Sequence, residues 1–215
     1  MKSKNKFIIL IGCVLVFSLA FTFLRPTPIY FQIPKGWPKP HYDFSKNPLT
    51  EEGFQLGRQL FYDPILSKDS TISCASCHKQ QFAFSDNLAH SVGVDGKMGR
   101  RNTMPLFKLM WNEAFFWDGR AVSLHHQALV PMQDSLEMDE NLQHILQKLN
   151  RSAFYPKDFS AAFENGISIE NMTLALEQFL VTIVSGNSKF DRYKLGIDRL
   201  SPAELRGLKL FNSDG

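Results

Sequence analysis

The sequence predicts an all-α domain. Its clearest signal is an apolar stripe at helical spacing, formed by Met172, Leu176, Phe179, Leu180 and Ile183. Ser168 can cap the start of this stripe and Gly186 can end it, which predicts a helix from Ile169 to about Ser185. Helix-start signals also occur at Thr50 and Ser201. No alternation of apolar and polar residues is long enough to indicate a sheet.

Composition limits the chain to one domain or slightly more. It has 215 residues, of which 44% are hydrophobic, and a net charge of +3. Much of the positive charge comes from N-terminal lysines, and no block of like charges or basic helix face is present. We therefore expect no nucleic-acid partner.

Residues 1–25 are predicted to be a signal peptide or a membrane anchor. Lysines precede an apolar run from Phe7 to Leu24, the pattern of an export signal. The run is long for a signal peptide and just long enough to span a bilayer, so a cleaved signal and an uncleaved inner-membrane tether both stay open. The segment Leu10-Ile11-Gly12-Cys13 has the form of a lipoprotein box, but apolar residues continue past the cysteine.

Residues 26–48 are predicted to be a Pro-rich linker or wrap, since their prolines block regular structure. A first helix is predicted to start at Thr50, with acidic residues in its first turn, and to stop at Asp63-Pro64. Gly57 lies on its apolar face, where it would let a second helix cross closely.

The most informative motif is Cys74-Ala75-Ser76-Cys77-His78, the attachment signature of a c-type haem. Two thiols at this spacing can each add to one vinyl group of the porphyrin, and the adjacent imidazole can then bind the iron as its proximal ligand. A structural zinc site normally needs four ligands, and the only other cysteine is Cys13. A redox dithiol would not need His78. The motif therefore predicts one covalent haem c in a cytochrome c-like domain with long loops, spanning residues 49–199.

The rest of the chain is predicted to contain turns from Cys74 to Asn102 and short helices over 123–130 and 139–150. Covalent haem c attachment in bacteria occurs outside the cytoplasm, so the expected compartment is the periplasm.

The C-terminal residues echo the first helix. The sequence from Gly207 to Phe211 is similar to that from Gly57 to Phe61 at an offset of 150 residues. A capping box from Ser201 to Glu204 precedes the second copy. We expect residues 200–215 to be the start of a truncated second cytochrome c domain, with chance similarity as the alternative.

Several motifs together resemble those of the bacterial di-haem cytochrome c peroxidases and their methylamine-utilisation relatives, over roughly residues 48–215. They are Cys-x-x-Cys-His, Gly-Arg-Arg-Asn at 99–102, Phe-Trp-Asp-Gly-Arg-Ala at 116–121, Glu-Met at 137–138 and Ser-Lys-Phe-Asp-Arg-Tyr at 188–193. The resemblance implies reduction of hydrogen peroxide to water, with electrons from a small cytochrome c or cupredoxin. It also implies a second haem c in the full-length protein, and a homodimer is a further expectation.

The resemblance also implies roles for individual residues. Trp117 would carry electrons between the haems, Gln127 would be a polar group of the peroxide pocket, and Pro131 would line that pocket. Asn102 would be a calcium ligand between domains. Glu137 would be the acid/base, because peroxide cleavage needs a proton moved from one oxygen to the other; the alternative is a solvated surface acid.

One departure from the family pattern concerns the sixth iron ligand. Many of these peroxidases have a histidine shortly before the Arg-Asn pair, whereas residues 94–99 here contain none. The iron face is therefore open or taken by His90, with Met98 and Met104 also nearby. His125 and His126 are expected to be packing or propionate neighbours.

Two other functions stay open. One is an electron-transfer cytochrome whose iron is saturated by an axial Met or His. The other is a di-haem oxidase that matures a partner protein, whose marker, a tyrosine ligand on the second haem, lies outside this chain.

Overall fold

The computed structural model describes residues 26–213, and within them the chain is helical, with isolated β-bridges and no strand. The all-α prediction is confirmed. The α-helices are α1 (Glu51–Tyr62), α2 (Cys74–Cys77), α3 (Leu124–Gln133), α4 (Leu142–Arg151), α5 (Tyr155–Ala162), α6 (Ile169–Val181), α7 (Lys189–Lys194) and α8 (Pro202–Phe211). Single 3₁₀ turns occur at Pro64–Leu66, Gln80–Phe82, Val94–Gly96 and Leu109–Trp111.

The predicted signal peptide or membrane anchor, residues 1–25, lies outside the described residues. Among residues 26–213, none of the helices is long and apolar enough to cross a bilayer.

The core is organised around the crossing of α1 and α6. Thr50 caps α1 by accepting a hydrogen bond from the backbone N–H of Gly53, and α1 stops at Asp63, its C-cap, as predicted. A Cβ on Gly57 would overlap the backbone carbonyl of Ala175, so α1 and α6 can approach this closely only because position 57 has no side chain. The predicted role of Gly57 is confirmed.

Helix α6 ends earlier than predicted, at Val181 rather than near Ser185. The hydroxyl of Thr182 donates to the carbonyl oxygen of Phe179 at 2.7 Å, and the carbonyl of Ile183 accepts from the backbone N–H of Lys108 at 2.8 Å. The loop that contains Lys108 thus binds the carbonyl oxygen of Ile183, which would otherwise accept a hydrogen bond within a longer helix. The apolar periodicity extends past this point because Ile183 still packs against the core.

Helices α3 and α4 also differ from the sequence prediction. Helix α3 begins as expected after Ser123 but continues three residues further, through Pro131 to Gln133. Helix α4 begins at Leu142 rather than Asp139, because Asp139 has a φ of 48° and Asn141 provides the N-cap. Helices α2, α5 and α7 were not predicted from the sequence, because they are too short for a clear periodic pattern.

Residues 26–48 are a wrap, since they pack on the body of the domain. The indole Nε1 of Trp111 donates to the carbonyl oxygen of Pro38 at 2.9 Å. The backbone N–H of Tyr42 donates to the carbonyl oxygen of Met110 at 3.0 Å. The buried Asn47 donates to the carboxylate of Glu177 on α6 at 2.9 Å. The wrap is thereby tied to the central helix.

Helix α8 has the predicted capping box at Ser201 and Glu204. Its environment differs from that of α1, although the two helices carry the repeated sequence. Phe61 is 1% exposed in the core, whereas Phe211 is 87% exposed. The assignment of α8 to a second cytochrome c domain stays a prediction.

Candidate functional site

The Cys-x-x-Cys-His motif opens onto a cavity of about 360 Å³. Helix α2 makes a single turn, so Cys74 and Cys77 lie on the same side of it, and the backbone N–H of His78 donates to the carbonyl oxygen of Cys74 at 2.9 Å. All three side chains line the cavity. The local fold therefore directs two sulfur atoms and one imidazole towards the same space.

His78 has the hydrogen bonding of an iron ligand. Its Nδ1 lies 2.8 Å from the carbonyl oxygen of Phe84. A carbonyl can only accept, so Nδ1 carries the proton and Nε2 keeps its lone pair for a metal. Burial lowers the pKa of His78, which favours the neutral imidazole that metal binding requires.

The two cysteines do not have the properties of a reactive dithiol. Burial raises the pKa of the Cys74 thiol to about 12, and burial also raises the pKa of Cys77. Redox-active Cys-x-x-Cys sites need a lowered thiol pKa. The surroundings fit a haem instead, because apolar side chains of Phe61, Leu176 and Leu180 line the same cavity.

Arginines near the cavity were missed as functional residues in the sequence analysis. Arg100, Arg101 and Arg120 line the cavity and provide positive charge suited to the two haem propionates. The Gly-Arg-Arg-Asn and Asp-Gly-Arg motifs contain these arginines and could have identified them as candidate propionate-binding residues. Asp118 pairs with two of them, at 3.1 Å to Arg101 and 3.0 Å to Arg120.

The predicted peroxide-pocket residues lie at the same cavity. Gln127 and Pro131 are four residues apart on α3, so they share one helix face, and both line the cavity. Glu137 follows α3 and lines the cavity, and its side chain is also exposed to solvent, so both the acid/base role and the alternative of a solvated surface acid stay predictions. The structure therefore brings Gln127, Pro131 and Glu137 together with the haem motif, although Glu137 is 59 residues beyond His78 in the chain.

The turn after α3 sets the position and the acidity of Glu137. The Asp134 carboxylate accepts a hydrogen bond from the backbone N–H of Leu136 at 2.8 Å. The backbone carbonyl of Asp134 accepts one from the backbone N–H of Glu137 at 3.0 Å. The atoms of the cavity wall partly desolvate the Glu137 carboxyl and raise its pKa, the charge of Asp134 raises the pKa further, and the charge of Arg120 opposes both. A raised carboxyl pKa suits a group that both accepts and returns a proton.

Trp117 lies at the mouth of the cavity, where it is 56% exposed. Its Nε1 donates to the backbone carbonyl of Asn102 at 3.2 Å. Beside it, the guanidinium of Arg120 lies 3.7 Å from the centre of the Phe116 ring, a cation–π contact. The indole therefore has one edge anchored by a hydrogen bond, while much of its surface is exposed to solvent.

The remaining candidates have less contact with the site. His90 is exposed and is not part of the cavity wall, whereas Met104 is. Asn102 lines the cavity and is exposed. Within residues 26–213 no group of three or more His, Cys, Asp or Glu side chains is arranged to hold a metal ion.

His125 and His126 lie on α3 and their rings are 4.4 Å apart. Neither histidine is part of the cavity wall. Nδ1 of His125 lies 3.6 Å from the carboxylate of Glu177 on α6, a contact between helices. This agrees with the packing role expected for His125.

Comparison with known proteins identifies the family. The family model described as di-haem cytochrome c peroxidase matches residues 51–199. The chain is 39% identical over 184 residues to the methylamine utilization protein MauG of Methylorubrum extorquens, covering 84% of this chain and 51% of the relative. It is 38% identical over 172 residues to the cytochrome c551 peroxidase of Pseudomonas aeruginosa, covering 78% of this chain and 50% of the relative.

Among solved structures, a MauG-like protein associated with microbial copper homeostasis superposes with a TM-score of 0.79 at 34% identity, covering 86% of this chain and 55% of that one. The chain thus spans about half the length of these relatives. The family model and the relatives agree with the cytochrome c-like fold and with the haem motif. This chain belongs to the di-haem cytochrome c peroxidase family.

Proposed function

We propose that this chain is the peroxide-reacting haem domain of a periplasmic di-haem peroxidase, which reduces hydrogen peroxide to water with electrons from a small cytochrome c or cupredoxin. One observation carries the proposal. Glu137, with its raised pKa, and Gln127 line the same cavity as Cys74, Cys77 and His78. Relatives named cytochrome c peroxidase support it.

Each residue has a defined task in this proposal. Haem c would be held by thioether bonds to Cys74 and Cys77 and by Nε2 of His78, and it would supply the redox chemistry at iron, with the electrons replaced by the donor protein. The carboxylate of Glu137 accepts the proton of one peroxide oxygen and returns it to the other, which can then leave as water. The amide of Gln127 orients peroxide without adding charge. Trp117, at the cavity mouth, would pass electrons to this site from a second haem.

Calcium at Asn102 and a second haem c in the full-length protein are further parts of the proposal. Asn102 is exposed beside Trp117, the position expected for a ligand shared between domains. The family match supports a second haem.

The acid/base role is tested by single-turnover kinetics. The haem-loaded chain is mixed with hydrogen peroxide in a stopped-flow spectrophotometer, and the decay of the ferric Soret band is followed. Glu137→Gln removes the proton acceptor but keeps the size, so we expect the second-order rate constant to fall about 10²–10⁴-fold.

Glu164→Gln is the matched control, because Glu164 is exposed and is not part of the cavity wall. It should leave the rate constant unchanged. Equal rates for Glu137→Gln and the wild type would show that Glu137 is not the acid/base.

A second candidate function is oxidation of a partner protein during its maturation. The observation that favours it is similarity to proteins named MauG, including the 39% identical relative. Peroxide would react at the same site in either case. The two functions are separated by steady-state assays of the full-length protein with a reduced small cytochrome c and with a tryptophan-containing precursor protein as alternative electron donors.

A further inference from the structure

Residues 91–99 form a closed hairpin beside the cavity, which we call the 91–99 hairpin. The backbone N–H of Gly93 donates to the carbonyl oxygen of Lys97 at 2.8 Å. The backbone N–H of Gly99 donates to the carbonyl oxygen of Ser91 at 2.9 Å. The turn between them has φ values of 57° at Asp95 and 71° at Gly96. The hairpin is therefore a defined structure and not a loose connection.

The hairpin contacts the backbone of Glu137 directly. The N–H of Val94 donates to the carbonyl oxygen of Glu137 at 2.8 Å, and the Val94 residue is only 1% exposed. A Cβ on Gly93 would overlap the carbonyl oxygen of Leu136 and lie 2.8 Å from Cα of Glu137. No side chain fits at position 93 while residue 137 keeps its place.

Charged groups hold the next residues of the same segment. The backbone N–H of Lys68 donates to the carbonyl oxygen of Met138 at 3.0 Å, and its ammonium group donates to the Asp139 carboxylate at 2.8 Å. Lys97 of the hairpin lies 3.5 Å from the same carboxylate. The segment is thus held from the hairpin on one side and from Lys68 on the other.

We infer that the 91–99 hairpin is a positioning element for the acid/base. Gly93 and Val94 hold the backbone of Glu137 so that its carboxyl group stays at the cavity wall. The inference rests on the proposed function, because it assigns the hairpin a role in the same peroxide reaction. A shift of about 1 Å in a reacting group can lower a rate about 10²-fold, so a backbone contact of this kind is sufficient to matter.

The first test is Gly93→Ala in the haem-loaded chain, followed by stopped-flow kinetics with hydrogen peroxide. The added methyl group must displace the Glu137 segment, and we expect a rate constant about 10–100-fold below the wild type. Gly207→Ala is the control, because Gly207 lies on α8, outside the hairpin and the cavity wall, and an added methyl group there meets no atom within 4 Å. It should change the rate less than twofold.

A double-mutant cycle separates positioning from general damage. If Gly93 acts through Glu137, Gly93→Ala should have no further effect on the rate in a Glu137→Gln background. An equal slowing in both backgrounds would overturn the inference, because the hairpin would then act on something other than the carboxyl group.

The same experiments separate this inference from the proposed function. If Glu137→Gln slows the reaction and Gly93→Ala does not, the inference fails and the function stands. If Glu137→Gln has no effect, the acid/base role fails and the inference fails with it.

A variant and a second measurement cover the case in which Gly93→Ala does not fold. Val94→Ala keeps the backbone N–H but removes the buried side chain that anchors the hairpin, and we expect a smaller loss, about 3–10-fold. Hydrogen exchange in the wild type should show a protected Val94 amide. Exchange at the rate of an unfolded chain would show that the contact with Glu137 is absent and would overturn the inference.

Discussion

Nδ1 of His78 donates a hydrogen bond to the carbonyl oxygen of Phe84, at 2.8 Å. This contact depends on a tight reversal of the chain after the motif, in which Ala83 and Phe84 both have φ of 57°. The backbone N–H of Lys79 donates to the carbonyl oxygen of Ser85 at 2.8 Å, which stabilises this turn. The result is an imidazole with a fixed orientation and a free Nε2.

Removal of the proximal ligand should leave haem attached but change its spectrum. In His78→Gly we expect the thioether bonds proposed for Cys74 and Cys77 to remain, whereas the iron would lose its imidazole ligand. We expect a shifted Soret band that added imidazole returns towards the wild-type position. Haem that is lost on acid-acetone extraction would contradict thioether attachment.

His90→Gly is the matched control for that experiment, because His90 is exposed and is not part of the cavity wall. Its spectrum should equal that of the wild type at all pH values tested. A spectral change would instead identify His90 as the sixth iron ligand.

The peroxide reaction should depend on pH through Glu137. The reaction needs the carboxylate form, so the rate constant should fall as the pH decreases through the pKa of Glu137, which partial desolvation at the cavity wall and the charge of Asp134 hold above the usual carboxyl value. Asp134→Asn removes a neighbouring negative charge but keeps an oxygen acceptor for Leu136. It should therefore move the inflection to lower pH, as measured by stopped-flow kinetics over a pH series. An unmoved inflection would mean that another group titrates.

The repeated glycines offer a matched test of the core. Gly57→Ala places a methyl group against the Ala175 backbone and should lower the free energy of unfolding by about 3 kcal/mol, the upper range for overpacking. Gly207→Ala, at the corresponding position of α8, meets no atom within 4 Å. It should raise the free energy of unfolding by about 0.5–1 kcal/mol through helix propensity. Urea denaturation monitored by circular dichroism measures both.

Trp117 should affect electron supply but not the reaction with peroxide. In the full-length protein, Trp117→Phe should slow the arrival of electrons at the peroxide-reacting haem and leave the first reaction with hydrogen peroxide unchanged. Trp111→Phe is the control, since Trp111 packs on Trp37 of the wrap, at a ring distance of 4.9 Å. Rapid mixing with and without a reduced donor protein separates the two steps.

Local signals in the sequence were sufficient for part of the fold. The cap at Thr50, the capping box at Ser201 and the small residue at Gly57 each depend on neighbouring residues or on helix periodicity, and each is present as predicted. The predicted end of α6 was wrong by four residues, because a loop distant in the sequence, at Lys108, binds the carbonyl oxygen of Ile183. No local pattern contains that information.

The candidate haem-binding set could be predicted from the sequence alone, because the spacing of Cys74, Cys77 and His78 places their side chains within a single helical turn and its cap. The location of Glu137 at the same cavity was decided by tertiary structure, since α3, the Asp134 turn and the 91–99 hairpin bring it there from a distant part of the chain. Phe61 and Phe211 occupy the same position in the repeated sequence, yet Phe61 is buried and Phe211 is exposed. Their burial was therefore also decided by tertiary structure. A sequence pattern specifies which face of a helix is apolar, but the packing partner decides whether that face is covered.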